Sequence, residues 1–237
     1  MKSRSADDRY LADRQTFSDR RGPSELWSVV DHWPLYCGIG NLARNLAITD
    51  LFRSTLAVPG HVAEFGTWRG STALLLAKLL RIYDPLGPKV VHCFDSFQGL
   101  AAFSGEDGTA TDMAGRYKGS EAELREVIAL YEMADDVEIH DGLIEEVLPS
   151  FLADRAELRF SFVFCDTDLY SSTSAILSEL HSRLVPGGVF VFDEWNYETF
   201  PGEGIAVNDF LGTHAESYEL IAPPATRQPS LALRKRR

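Results

Sequence analysis

A chain of 237 residues with 45% apolar and 24% charged side chains has the length and composition of one globular unit with a substantial core. Its 35 acids against 23 basic residues leave a formal charge of -12, which repels a phosphate backbone and removes nucleic acid from the expected partners. No apolar run has membrane-spanning length and the N-terminal MKSRSADDRYLADRQTF lacks a signal-peptide core, so a cytoplasmic protein without a membrane partner is expected.

The first 60 residues read as a helical lid segment and residues 61–237 as one ligand-binding domain. Within the first part, WSVVDHWPLYCG is aromatic and interrupted by proline, and is expected to be irregular; its Trp27, Trp33 and Tyr36 either cover a site or simply cover helices. GIGNLARNLAITDLFRSTL has helical spacing of apolar positions. From His61 onward, β-rich runs alternate with helical ones. HVAEFG is the first strand and STALLLAKLLRIYD a helix; KVVHCFD is the second strand. The Gly-, Ser- and Asp-rich SFQGLAAFSGEDGTATDMAGRYKG then reads as a loop that orders on binding, and EAELREVIALYEM as a helix. VEIHDG and FSFVFCD are the third and fourth strands, SSTSAILSELHSRL a helix, VPGG a turn, VFVFDE the fifth strand and GIAVNDFLGTHA a helix. SYELI and SLALRK, joined by a Pro-rich connection, form an antiparallel edge hairpin. The fold class is therefore α/β: a doubly wound, mostly parallel seven-stranded sheet. Cys37, Cys93 and Cys165 show no metal-type spacing, so neither a disulfide framework nor a zinc site is expected, and the basic Arg234–Arg237 is a solvated tail.

Ligands of such sheets bind beyond the carboxyl ends of the strands, so polar residues at strand ends are the candidates. EFGTWRGST supplies Glu64, Gly66 and Gly70: a tight turn, close backbone approach and a helix N-terminus. It is neither G-x-G-x-x-G nor a P-loop, which disfavours a phosphate cradle. Asp95, closing the second strand, is placed to accept from ribose hydroxyls, which points to a nucleoside ligand. Asp141 either accepts from an adenine amino group, beside Gly142 and Leu143, or caps a helix.

Three blocks, VAEFGTWRGSTALLLAKLL, FDSFQGL and DTDLYSSTSAILSELHSRLVPGGVFVFDEW, are similar in order and spacing to those of the macrocin O-methyltransferase family of S-adenosylmethionine-dependent sugar O-methyltransferases. The resemblance runs from about Gly38 to Phe210, with Glu194 where the family often has Asp and Thr167 where Gly is frequent. It implies a class I methyltransferase fold with S-adenosylmethionine as cofactor and S-adenosylhomocysteine as product. It also implies Mg²⁺ and a small-molecule glycoside acceptor, and a homo-oligomer is expected as well. The cofactor set expected is Glu64, Gly66, Thr67, Gly70, Ser71, Asp95, Ser96, Asp141, Gly142 and Asp166. Asp166, Asp193 and Glu194, at the ends of neighbouring strands, repel one another unless a cation joins them, and an all-oxygen set suits Mg²⁺ or Mn²⁺. The resemblance implies the same ligands. Asp166 is also the candidate general base, with His32, His140 and His214 as rivals, while Asp168 is read as a cap or a water-facing acid. A catechol acceptor, or a nucleoside-binding module without catalysis, are the competing functions.

Overall fold

The computed structural model describes residues 25–101, 103–223 and 226–236, and upstream the isolated positions 13, 16, 19 and 20. Most of the first 24 residues of the expected lid therefore lie outside the described residues. Seven strands form one sheet in the order β3-β2-β1-β4-β5-β7-β6. These are β1 (His61–Phe65), β2 (Val91–Asp95), β3 (Val137–Asp141), β4 (Phe160–Cys165), β5 (Leu184–Phe192), β6 (Tyr218–Ile221) and β7 (Leu231–Lys235). The first five are parallel, and β7 pairs antiparallel with both β5 and β6. Strand order reverses between β1 and β4, which opens a crevice at their carboxyl ends.

The central strands are apolar throughout because helices cover both faces. Alternation along β4 sends Phe162 and Phe164 to one face, with Phe52, Val62, Leu76 and Leu80, and Phe160, Val163 and Cys165 to the other, with Phe65, Phe94, Leu148 and Leu177. The helices are α1 (Leu26–Asp31), α2 (Trp33–Tyr36), α3 (Ile39–Arg53), α4 (Ser71–Tyr83), α5 (Glu121–Leu130), α6 (Ile144–Ala153), α7 (Tyr170–Leu180) and α8 (Pro201–His214). None among the described residues is long and apolar enough to cross a membrane.

Four local departures from the sequence reading have physical reasons. The aromatic segment is helical, because Pro34 stands in the first turn of α2, where its missing N–H costs nothing. Helix α6, unassigned from sequence, carries Pro149 inside it yet buries Ile144, Leu148, Phe151 and Leu152, and this burial outweighs the break. VPGG lies within β5 as a bulge, since Leu184 pairs with Phe160 and Val189 with Phe162. The Gly-rich stretch read as a loop contains regular turns: Gly105–Met113 forms 3₁₀ turns, and the fully buried Asp107 accepts from the N–H of Ser104 at 2.7 Å and of Tyr170 at 2.8 Å.

Candidate active site

A cavity of about 590 Å³ opens at the carboxyl ends of β1, β2, β4 and β5. Of the ten candidate cofactor residues, Glu64, Gly66, Thr67, Ser71, Asp95, Ser96, Gly142 and Asp166 line it. Gly70 instead faces Leu124, whose methyl would lie 2.3 Å from an added Cβ, and Asp141 is exposed at the end of β3. Asp141 does not cap α6 either, because Leu143 holds that position.

The turn after β1 is built around Gly66, at φ +83°, where a Cβ would stand 1.8 Å from the carbonyl oxygen of Asp166. Only glycine permits β1 and β4 to end this close together. Asp95 secures the same turn: its Oδ2 accepts from the N–H of Trp68 and its Oδ1 from the N–H of Phe97, both at 2.6 Å. Burial raises the Asp95 pKa, and these donors oppose the shift. Each oxygen keeps a further lone pair for a ligand. Glu64 is buried, with Oε2 unpartnered; burial first, and then the charge of Asp166, push its pKa well up.

At the other end of the cavity stand the acids. Carboxylate oxygens of Asp166, Asp168 and Glu194 lie within 4.8 Å of one another. Asp168, expected to cap a helix or face water, does neither: it is 8% exposed and turned inward at φ 63°, while Leu169 takes the N-cap position of α7. Burial, and then the charges of Asp166 and Asp193, push Asp168 up to about 8. Burial followed by the charge of Asp168 does the same to Glu194, also to about 8, although Gln228 Nε2 donates to its Oε1. Glu194 Oε2 has no partner.

Asp193 is not in this trio. It faces Arg44, whose Nε donates to Oδ1 at 3.1 Å and whose Nη2 donates to Asp166 Oδ2 at 2.7 Å. Nη1 reaches Thr72 Oγ1 at 3.2 Å, and the guanidinium stands 5.3 Å from the Phe164 ring centroid. Burial opposes the guanidinium's charge, but Asp193 and Asp166 outweigh it and raise its pKa. Asp193 is nonetheless pushed up to about 7 by burial and then by Asp166. Glu203, fully buried, accepts the backbone N–H of Glu194 at 2.7 Å and so fixes the end of β5.

Arg44, Asp168, Glu203 and Gln228 escape the sequence reading. Arg44 alone left a signal there: it shares a helix face with Ile48 and Leu51, both buried, so its charge had to enter the protein with them. The rival bases His32, His140 and His214 do not line the cavity. Nor do Trp33 and Tyr36; α3 contributes Asn41, Arg44 and Asn45, preceded by Cys37, and the opposite wall is Gly99–Ala101 and Tyr117, which packs edge-on against Trp68 at 5.7 Å.

The chain is 35% identical over 173 residues to demethyldecarbamoylnovobiocin O-methyltransferase of Streptomyces niveus, covering 69% of this chain and 63% of the relative. It is 30% identical over 168 residues to 8-demethyl-8-(2,3-dimethoxy-alpha-L-rhamnosyl)-tetracenomycin-C 4'-O-methyltransferase of Streptomyces olivaceus, covering 68% and 61%. The match thus spans less than two thirds of either curated relative. The structure of CalS11, a calicheamicin methyltransferase, superposes with a TM-score of 0.81 at 26% identity, covering 98% of this chain and 91% of that one, which makes the fold that of an α/β methyltransferase. Residues 42–221, from the helix that carries Arg44 to the last residue of β6, match one family description throughout, and the chain belongs to the Macrocin-O-methyltransferase (TylF) family.

Proposed function

We propose that the protein is an S-adenosylmethionine- and Mg²⁺-dependent O-methyltransferase acting on a sugar hydroxyl of a glycosylated natural product. The observation that carries this reading is the pairing, in one cavity, of a Gly66–Asp95 nucleoside end with an acidic trio whose oxygens lie within 4.8 Å. Both relatives are O-methyltransferases of natural products, and the second acts on a rhamnosyl compound. The trio fits Mg²⁺: its donors are all oxygen, and the buried Glu194 Oε2 lacks any other partner. Asp166, Asp168 and Glu194 would hold the ion; Asp193, a ligand in the family pattern, would join by giving up Arg44.

When bound, S-adenosylmethionine supplies an activated methyl group and Mg²⁺ lowers the pKa of an acceptor hydroxyl. The chain's residues do the rest. Asp95 accepts from the cofactor's ribose, Gly66 admits the backbone close to it, and Thr67, Ser71, Ser96 and Gly142 complete that wall, with Gly70 and Asp141 behind it. Glu64 contributes its carboxyl to the same cavity. Asp166 takes the acceptor proton; burial raises its pKa, which makes it a stronger base, while Arg44 opposes the shift. Residues 1–60 are assigned to the lid segment. Three free thiols suit a reducing cytoplasm, and a homo-oligomer remains part of the proposal.

Label from radioactive S-adenosylmethionine is expected to reach glycosides bearing vicinal hydroxyls, to stop with EDTA and to resume with Mg²⁺. Labelling of catechols alone would move the enzyme to the other acceptor class, and full turnover in EDTA would reduce the acids to a structural cluster. Asp95→Ala is expected to weaken S-adenosylhomocysteine binding by about 1–3 kcal/mol in calorimetry, the scale of charged hydrogen bonds left unmade. Unchanged affinity would remove Asp95 from the cofactor site.

A further inference from the structure

We propose that His92, Glu138 and His140 form a second metal site, for Zn²⁺, outside the cavity and independent of methyl transfer. The parallel register pairs His92 with Glu138 and Phe94 with His140, so the three side chains share one face of β2 and β3. His92 Nδ1 stands 3.2 Å from His140 Nε2 and 3.4 Å from Glu138 Oε2, and His140 Nε2 is 3.9 Å from Glu138 Oε1. Ligand atoms on a tetrahedral ion with bonds of about 2.0–2.1 Å are about 3.3–3.4 Å apart, whereas octahedral neighbours at the same bond length are about 2.9–3.0 Å apart. The observed separations match the tetrahedral case better, and two imidazoles with one carboxylate are a donor set that zinc accepts.

Other features favour an ion over a simple hydrogen-bonded pair. His92, 3% exposed, holds its Nδ1 where His140 Nε2 and Glu138 Oε2 both approach, so three potential ligand atoms meet at one point. Glu138 Oε2 stands nearest His92 and Oε1 nearest His140, and Arg155 Nη2 donates to Oε1 at 2.9 Å, which orients the carboxylate from outside, as outer partners of metal sites do. The rings are fixed by packing, His140 lying 4.4 Å from both Phe94 and Phe151. Burial keeps both imidazoles neutral, as ligands must be. The Glu138 side chain is 41% exposed, so an ion can enter from solvent and water can fill the fourth position. Bound there, zinc would staple the edge strand β3 to β2. The site contains no cysteine, so cysteine spacing could not disclose it.

The full-length protein, stripped by chelator, is titrated with Co²⁺ and then with Zn²⁺ in competition with a chromophoric chelator. The expected result is one equivalent of Co²⁺ with the visible bands of tetrahedral coordination, displaced by Zn²⁺. Those bands should vanish, and Zn²⁺ affinity fall by at least about tenfold, in Glu138→Gln and in His140→Gln. They should persist in the double variant Asp168→Asn/Glu194→Gln, which dismantles the acidic trio. If His140→Gln does not fold, the half-exposed Glu138→Gln decides, with circular dichroism confirming its fold. Absence of tetrahedral bands in the native protein would overturn the proposal. So would bands that survive Glu138→Gln, or bands lost only in the double variant.

Discussion

Asp168→Asn is expected to yield a protein that melts later in the absence of metal and hardly turns over. The carboxyl of Asp168 goes from its ordinary 3.8 to about 8 on folding, because burial and then Asp166 and Asp193 disfavour its charge. A carboxyl raised in this way costs nothing at low pH, where it is protonated in both states. As pH rises above about 4 the unfolded chain ionises and the folded one does not, so stability falls until pH reaches about 8. Asparagine keeps the shape and removes this penalty. With EDTA present, the native protein should lose melting temperature between pH 5 and 8, and the variant should lose less; at pH 8 the gain is on the order of 3 kcal/mol. Glu194, also at about 8, leaves a residual slope in both proteins. Activity moves the other way: losing an ion ligand is expected to lower turnover by about a thousandfold. Mg²⁺ should stabilise the native protein and leave the variant unmoved. Equal turnover in the two proteins would place Asp168 outside the site.

Among the described glycines, Gly66→Ala should be the most damaging change to alanine. The added Cβ would stand 1.8 Å from the carbonyl oxygen of Asp166, a backbone atom that cannot rotate away, and φ of +83° adds left-handed strain. Gly115→Ala is the control: its φ is +73° but nothing lies within 4 Å of its Cβ, so it carries the backbone strain alone. The control is expected to lose about 1 kcal/mol in urea unfolding and Gly66→Ala at least about 4 kcal/mol, enough to deplete soluble protein. Equal urea midpoints for the two would show that the turn can part from β4.

What could be read in the sequence is what depends on neighbours along the chain. Buried parallel strands are apolar on both faces, so Asp95, Asp166 and Asp193 stood out as the points where such runs stop, and the first five strands could be assigned along the chain. Residues that reach the site from elsewhere gave little. Gln228 comes from a Pro-rich connection and touches Glu194 only because β7 lies beside β5. Asp168 looked like a helix cap because acids commonly stand there; only its φ of 63° aims it inward, and no side-chain pattern announces that angle. Helix α6 was hidden by Pro149, a local penalty that tertiary burial overrides.

Arg44 also bears on where the protein may be cut. It meets Asp166 and Asp193 across 122 and 149 positions of sequence, from a helix that precedes the first strand. Charge therefore ignores the boundary at residue 60: a fragment beginning at His61 would hold the whole sheet but leave Asp193 and Asp166 without their cation. Stripping one partner from a fully buried ion pair costs about 3–5 kcal/mol; Arg44 and Asp166 are partly exposed, so the loss here is smaller, yet still a sizeable share of what many domains possess in total. The smallest unit able to stand alone starts before Arg44, and a shortened or fused version of this protein has to carry α3 with it.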